Sequence, residues 1–291
     1  MERESFSDPA VAKLMNDNFI CVKLDREERP DVDDLYVSAC INMIGHAGWP
    51  LNLVLTPDQK PFFAGTYFAT EDLHGRPSWT SLLTQLAQLW SERQPDLLRQ
   101  SDALMQKMKR QFTGSGRLLS IEPDLLDSAV TDLAQGFDAQ WGGFGGAPKF
   151  PPVGQLQLVL RYYHRSKDDR LLSMVTRTLD MMAAGGIYDH ISGGFCRYSV
   201  DPRWLVPHFE KMLCDNALIA RIYLEGYQAT QQESYSKVAE GTLDYILRDL
   251  TSEQGGFFSS TDAESETEEG KFYVWTPAEV EAVLDAEAAS Q

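Results

Sequence analysis

Between Gly186 and Asn216 the chain reads GIYDHISGGFCRYSVDPRWLVPHFEKMLCDN, with two of the five histidines, two of the four cysteines, four carboxylates and five aromatics in 31 residues. Proton transfer needs an acid and a base held on a substrate, and His, Asp and Glu are the usual suppliers. Pro207 suits the first turn of a helix, which predicts a helix from Pro207 to Ala229 with His208 at its positive end. There imidazolium is disfavoured, so His208 is expected neutral and able to accept a proton. Lys211 and Asp215 are expected on the same helical face. His190, next to Asp189, is the expected second imidazole, and Glu210 completes the catalytic set. An acid and a base on opposite sides of a carbon would serve an aldose–ketose isomerase or a 2-epimerase. Tyr198 and Trp204 could stack on a sugar face, and Arg203 could hold a carboxylate or phosphate in two-pronged fashion.

Each residue also has a structural reading. Asp189 could cap a turn, Glu210 and Lys211 could form a solvated pair, and Trp204 could be core. A second acidic run, STDAESETEEGKF, offers Asp262 and Glu264 as paired carboxylates for glycoside chemistry, or a solvated loop. It lacks the glycine and glutamate positions of an EF-hand, and no metal site is predicted anywhere. His46 and His74 are isolated and carry no assigned role.

What positions these residues is a helical pattern. Helices are predicted over Pro123–Gln140, Val153–Arg165, Asp169–Ala184 and Glu233–Leu250, with another starting at Pro277. Gly-Gly-Phe recurs at 142–144, 193–195 and 255–257, at intervals of about 51 and 62 residues, room for a helical hairpin each time. Stacked hairpins around an axis, a six-hairpin α/α toroid, fit that spacing.

The first third reads differently. Asp8–Phe19 is predicted helical, with Val11, Leu14, Met15 and Phe19 on one face. Ile20–Leu24 reads as a strand and a helix opens near Pro30. Leu51–Leu55 and Phe62–Phe68 read as an antiparallel pair, and Trp79–Phe112 as two helices divided near Pro95. The order helix, strand, helix, strand, strand, helix is that of the later part of a thioredoxin fold. Pro50 in GWP then stands where such folds place a cis-proline. Boundaries are set at 1–113 and 122–291, with a linker at 114–121.

Composition bounds the rest. A formal net charge of -17 argues against binding nucleic acid or anionic membranes. No apolar run is long enough to span a membrane, MERESF lacks a signal-peptide core, and the cytoplasm is the default expectation. No two of Cys21, Cys40, Cys196 and Cys214 have CxxC spacing, so neither a zinc knuckle nor a redox dithiol is visible. No cofactor is predicted.

Five blocks then carry a resemblance: MERESFSDPAVAKLMNDNFICVKLDREERPDVD, GWPLNLVLTPDQKPFFAGTYF, GGFGGAPKFP, GGIYDHISGGFCRYSVDPRWLVPHFEKML and EEGKFYVWTPAEVEAVL. Together they resemble the spermatogenesis-associated protein 20-like family. That resemblance implies an α/β plus α chain, a partial thioredoxin-like domain followed by part of an α/α toroid similar to six-hairpin glycosidases and N-acylglucosamine 2-epimerases. It implies that this chain is truncated at both ends, missing an upstream CHWC-type motif and the later hairpins. It implies a sugar-like ligand in the toroid funnel, or a thiol-containing client protein of the full-length form, or a non-catalytic scaffold. Half a toroid leaves hairpin faces uncovered, so low stability or self-association is expected.

Overall fold

The computed structural model describes residues 1–73, 75–113 and 124–284; the expected linker and His74 lie outside them. The chain divides into two compact units, Met1–Ser120 and Ile121–Gln291.

In the first unit, α1 (Pro9–Asn18) is capped by Asp8, whose carboxylate accepts from the Ala10 and Val11 N–H groups. Helix α2 (Pro30–Ile44) ends at Gly45, at φ 86°. Strands β1 (Asn52–Leu55) and β2 (Pro61–Gly65) form an antiparallel hairpin. Helix α3 (Trp79–Thr113) breaks at Arg93, two residues before Pro95, where the proline ring cannot fit a regular turn. The predicted face of α1 packs with Phe63 and Phe68 onto Trp79, Leu82, Leu83 and Leu86. Ile20–Leu24 departs from expectation. It is not a strand, Ile20 is 96% exposed, and no described strand lies beside it to satisfy its backbone.

The second unit is helical: α4 (Leu125–Gln135), α5 (Val153–Ser166), α6 (Asp169–Ala184), α7 (Leu213–Thr230), α8 (Glu233–Asp249) and α9 (Pro277–Val283). Helix α7 packs on α5, α6 and α8, and α4 and α6 both pack on α5. Tyr235 of α8 ties back to Asp180 of α6 at 2.7 Å. The core lies between these layers, around Leu156, Val175, Leu179, Ile219 and Tyr223. The turns α5–α6 and α7–α8 are tight, each closed by one residue in the left-handed region, Lys167 and Gln231. The three long connections therefore all emerge at the other end of the hairpins. Those connections hold short antiparallel pairs: β3 (Tyr198–Ser199) with β4 (Pro207–His208), β5 (Lys211–Met212) with β6 (Ser260–Thr261), and β7 (Glu264–Ser265) with β8 (Glu268–Glu269).

This pairing corrects the expected start of α7. Residues 207–208 and 211–212 are extended because β3 and β6 claim their backbone, and the helix begins at Leu213. His208 is therefore not in a helix's first turn. The dipole argument for its neutrality falls, as does the face shared with Lys211 and Asp215.

Candidate functional site

The first two Gly-Gly-Phe connections are built alike. In FDAQWGGF, Asp138 Oδ1 accepts from the Gln140 and Trp141 N–H groups, and Asp138 N–H donates to the Gly143 carbonyl. In YDHISGGF, Asp189 Oδ1 accepts from the Ile191 and Ser192 N–H groups, and Asp189 N–H donates to the Gly194 carbonyl. The other oxygen of each aspartate takes a buried lysine: Lys149 Nζ to Asp138 at 2.7 Å, Lys211 Nζ to Asp189 at 2.8 Å. Each ammonium then donates to a carbonyl, of Pro202 and Gly193 respectively. Each also lies over aromatic faces, Lys149 over Trp204, Lys211 over Tyr245 and Tyr273. A buried ion pair survives only when its remaining donors are satisfied, and here they are.

Burial alone works to raise the carboxyls of Asp138 and Asp189. The facing ammonium and the backbone donors outweigh it and hold both below the ordinary 3.8. The second glycine of each motif lies against an aromatic of the following segment, Gly143 against Trp204 and Gly194 against Tyr245. Asn216 completes the second turn by bonding both backbone groups of Phe195.

Asp189, expected in the catalytic set, is a capping residue and the partner of a buried lysine. Trp204 is wholly buried at φ 67°, its Nε1 donating to the Trp141 carbonyl at 2.8 Å, so it cannot stack on a ligand. His190 sits in the turn, its Nε2 3.0 Å from the Gly185 carbonyl and its ring edge-on to Tyr188. It makes no hydrogen bond or ring contact with His208. Arg203 is exposed, in a turn pinned by Asp201, whose carboxylate accepts from the Arg203 and Val206 N–H groups. Asp262 accepts from the Glu264 N–H at 3.1 Å, an ordinary turn contact, and both residues are exposed.

A different group gathers at the rim. His208 Nδ1 lies 2.7 Å from Glu269 Oε1, and its Nε2 lies 3.8 Å from Glu210 Oε2. Glu210 is not paired with Lys211; it accepts from Arg197 Nη1 at 2.9 Å. The β3–β4 pairing places Tyr198 against His208, with ring centres 4.8 Å apart and planes 17° apart. The Lys149–Ser199 bridge brings Phe150 to Tyr198, with ring centres 4.7 Å apart and planes tilted by 36°, and Phe150 is 51% exposed. The result is a ladder of three rings, Phe150, Tyr198 and His208, edged by two carboxylates. Burial lifts the Asp215 carboxyl above its ordinary value despite Arg197, and Glu210 adds to the rise.

Of the residues singled out in the sequence, the structure brings together His208, Glu210 and Tyr198. Phe150, Arg197 and Glu269 were missed. Glu269 lies in the acidic run already noted and Arg197 in the dense 186–216 stretch, whereas nothing local marks Phe150. Among the described residues no cluster of His, Cys, Asp and Glu could hold a metal. Cys196 is buried, its thiol pushed up to about 11 by burial; burial also raises the thiols of Cys21 and Cys40. The Trp49–Pro50 bond is cis, as is Ala147–Pro148, and the indole of Trp49 is half-exposed beneath Arg26. No helix among the described residues is long and apolar enough to cross a membrane.

A family model for a thioredoxin-like DsbH domain, described as a protein of unknown function, DUF255, matches residues 1–109. Spermatogenesis-associated protein 20 of Mus musculus is 39% identical over 98% of this chain, and that of Homo sapiens 40% identical over 98%. The chain spans 38% of the length of either relative. Among solved structures, a cellobiose 2-epimerase from Bacillus thermoamylovorans is similar over 47% of this chain and 40% of its own, at 17% identity and a TM-score of 0.42. A D-mannose isomerase is similar over 63% of this chain and 45% of its own, at 16% identity and a TM-score of 0.35. Across the stretch it spans, this chain belongs to the spermatogenesis-associated protein 20-like family.

Proposed function

We propose that the second unit binds a sugar-like ligand at the Phe150–Tyr198–His208 ladder, with His208 as the group that accepts or returns a proton. One observation carries this reading. Glu269 holds Nδ1 at 2.7 Å, so in the neutral ring the proton sits on Nδ1 and the lone pair on Nε2. Glu210 stands 3.8 Å from Nε2, beyond hydrogen-bond range, so Nε2 is not consumed by the fold. An exposed aromatic face beside carboxylate acceptors suits a ligand with an apolar face and many hydroxyls. The proposal rests on His208 and assigns His190 no part in it.

The test is a thermal-shift titration of the protein with neutral sugars and sugar phosphates, alongside His208→Ala. A stabilising sugar whose effect disappears in the variant supports the reading. A panel without any hit, with both proteins folded, removes it. A thiol-directed role for the longer protein rests on the thioredoxin-like match. It requires a dithiol that Cys21 and Cys40, with their raised thiols, do not supply.

A further inference from the structure

The proposed site has a sign. Its titratable groups are Glu269 and Glu210 on either side of His208, Asp215 close enough to feel both Arg197 and Glu210, and Tyr198 beneath the imidazole. The cation among them, Arg197, is already engaged: its guanidinium lies 2.9 Å from Glu210. Lys271, beyond the β7–β8 hairpin, lies 4.0 Å from Glu268. Arg203, the residue expected to hold an anion, makes no contact with His208, Glu210 or Glu269 and presents its guanidinium to solvent instead. One guanidinium thus faces two fixed carboxylates, and a third when Asp215 is ionised. An incoming phosphate or carboxylate meets like charge with no guanidinium free to receive it, and like-charge contact costs affinity. A hydroxyl group, by contrast, can donate to the carboxylate oxygens while the ligand's apolar face rests on Phe150.

We infer that this site takes uncharged, unphosphorylated sugars and discriminates against their phosphorylated or acidic counterparts. The inference rests on the sugar reading above and deepens it by fixing the charge class.

The experiment compares matched pairs by isothermal titration on the intact protein: glucose with glucose 6-phosphate, mannose with mannose 6-phosphate, and glucose with glucuronate. The neutral member is expected to bind at least about tenfold more tightly, with the ratio shrinking as salt is raised. Glu210→Gln releases Arg197 from its carboxylate, so this variant is expected to gain affinity for the phosphates and narrow the ratio several-fold. Phosphates that bind as tightly as the neutral sugars overturn the charge inference while leaving the site in place. If neither member of any pair binds, the sugar reading itself fails and this inference goes with it.

Discussion

Two side-chain pairs of nearly equal length involve the connection between α6 and α7. Lys211 meets Asp189 at 2.8 Å, and His208 meets Glu269 at 2.7 Å. Their side chains differ in access to water: 1% and 12% exposed in the first pair, 27% and 51% in the second. In the first pair the ammonium also donates to the Gly193 carbonyl of the turn, and the arrangement appears again, with Lys149 and Asp138, one hairpin earlier. The second leaves a ring nitrogen uncommitted, and its carboxylate arrives from a segment 61 residues away. Distance does not separate architecture from chemistry here. Completeness of hydrogen bonding and contact with solvent do.

Breaking the buried pair gives the largest expected effect. Lys211→Met leaves Asp189 charged, buried and short of its partner, and is expected to cost ~3–5 kcal/mol in urea unfolding. Lys149→Met is expected to behave alike. The double change Lys211→Met with Asp189→Asn recovers part of that loss, because no uncompensated charge remains. A loss below 1 kcal/mol for Lys211→Met would dissolve the contrast between the two pairs.

Gly193→Ala comes next. At φ 76°, an added Cβ there would run into the Gly241 carbonyl of α8, a backbone group that cannot step aside. A loss of about 2–4 kcal/mol is expected from strain and displaced backbone together. Gly255→Ala, at φ 90° with open space around it, should cost only about 1 kcal/mol. Equal losses at the two glycines would show that the third motif is packed like the second.

Acid sharpens the comparison further. Asp138 and Asp189 have lowered folded-state values, so their stabilisation is present above the ordinary 3.8 and is lost as pH falls through the depressed values. The unfolding midpoint is expected to fall steeply below about pH 4. In Lys211→Met that acid limb should flatten, since one of the two depressed carboxyls loses its counter-ion. An unchanged acid limb would place the sensitivity elsewhere.

The smallest expected effect is at the rim. Exposed pairs contribute little, so His208→Ala and Arg203→Ala should each stay within ~1 kcal/mol of the parent protein. His208→Ala should nevertheless abolish any sugar-induced stabilisation, and Arg203→Ala should not. A large stability loss in His208→Ala would make its ring a structural element like Lys211.

Local patterns in the sequence were enough to find α1, α5, α6 and α8 to within two residues, and the start of α2 at Pro30, because each carries a helical stripe. Two readings failed for one reason. Ile20–Leu24 has strand composition but no described neighbour, and Pro207–Met212 has a helix-opening proline but strand partners from 198–199 and 260–261. Pairing partners outside the local window decide extended structure, and neither stretch announces its partners. The site suffered likewise. His208, Glu210 and Tyr198 sat in one conspicuous stretch, whereas Phe150 and Glu269 are brought in from 48 and 61 residues away by short bridges. The buried pairs did leave a signal: Asp precedes Gly-Gly by four positions in both FDAQWGGF and YDHISGGF, and Thr251 holds that position in the third copy.

The most direct test is nitrogen-edited NMR of the imidazole rings, with assigned His190 and His208, during titration with a neutral sugar that stabilises the protein. The account predicts that the His208 Nε2 resonance moves in proportion to occupancy, that Nδ1 keeps its proton, and that His190 stays where it was. A shift at His190 with none at His208 would contradict it and return the chemistry to the turn.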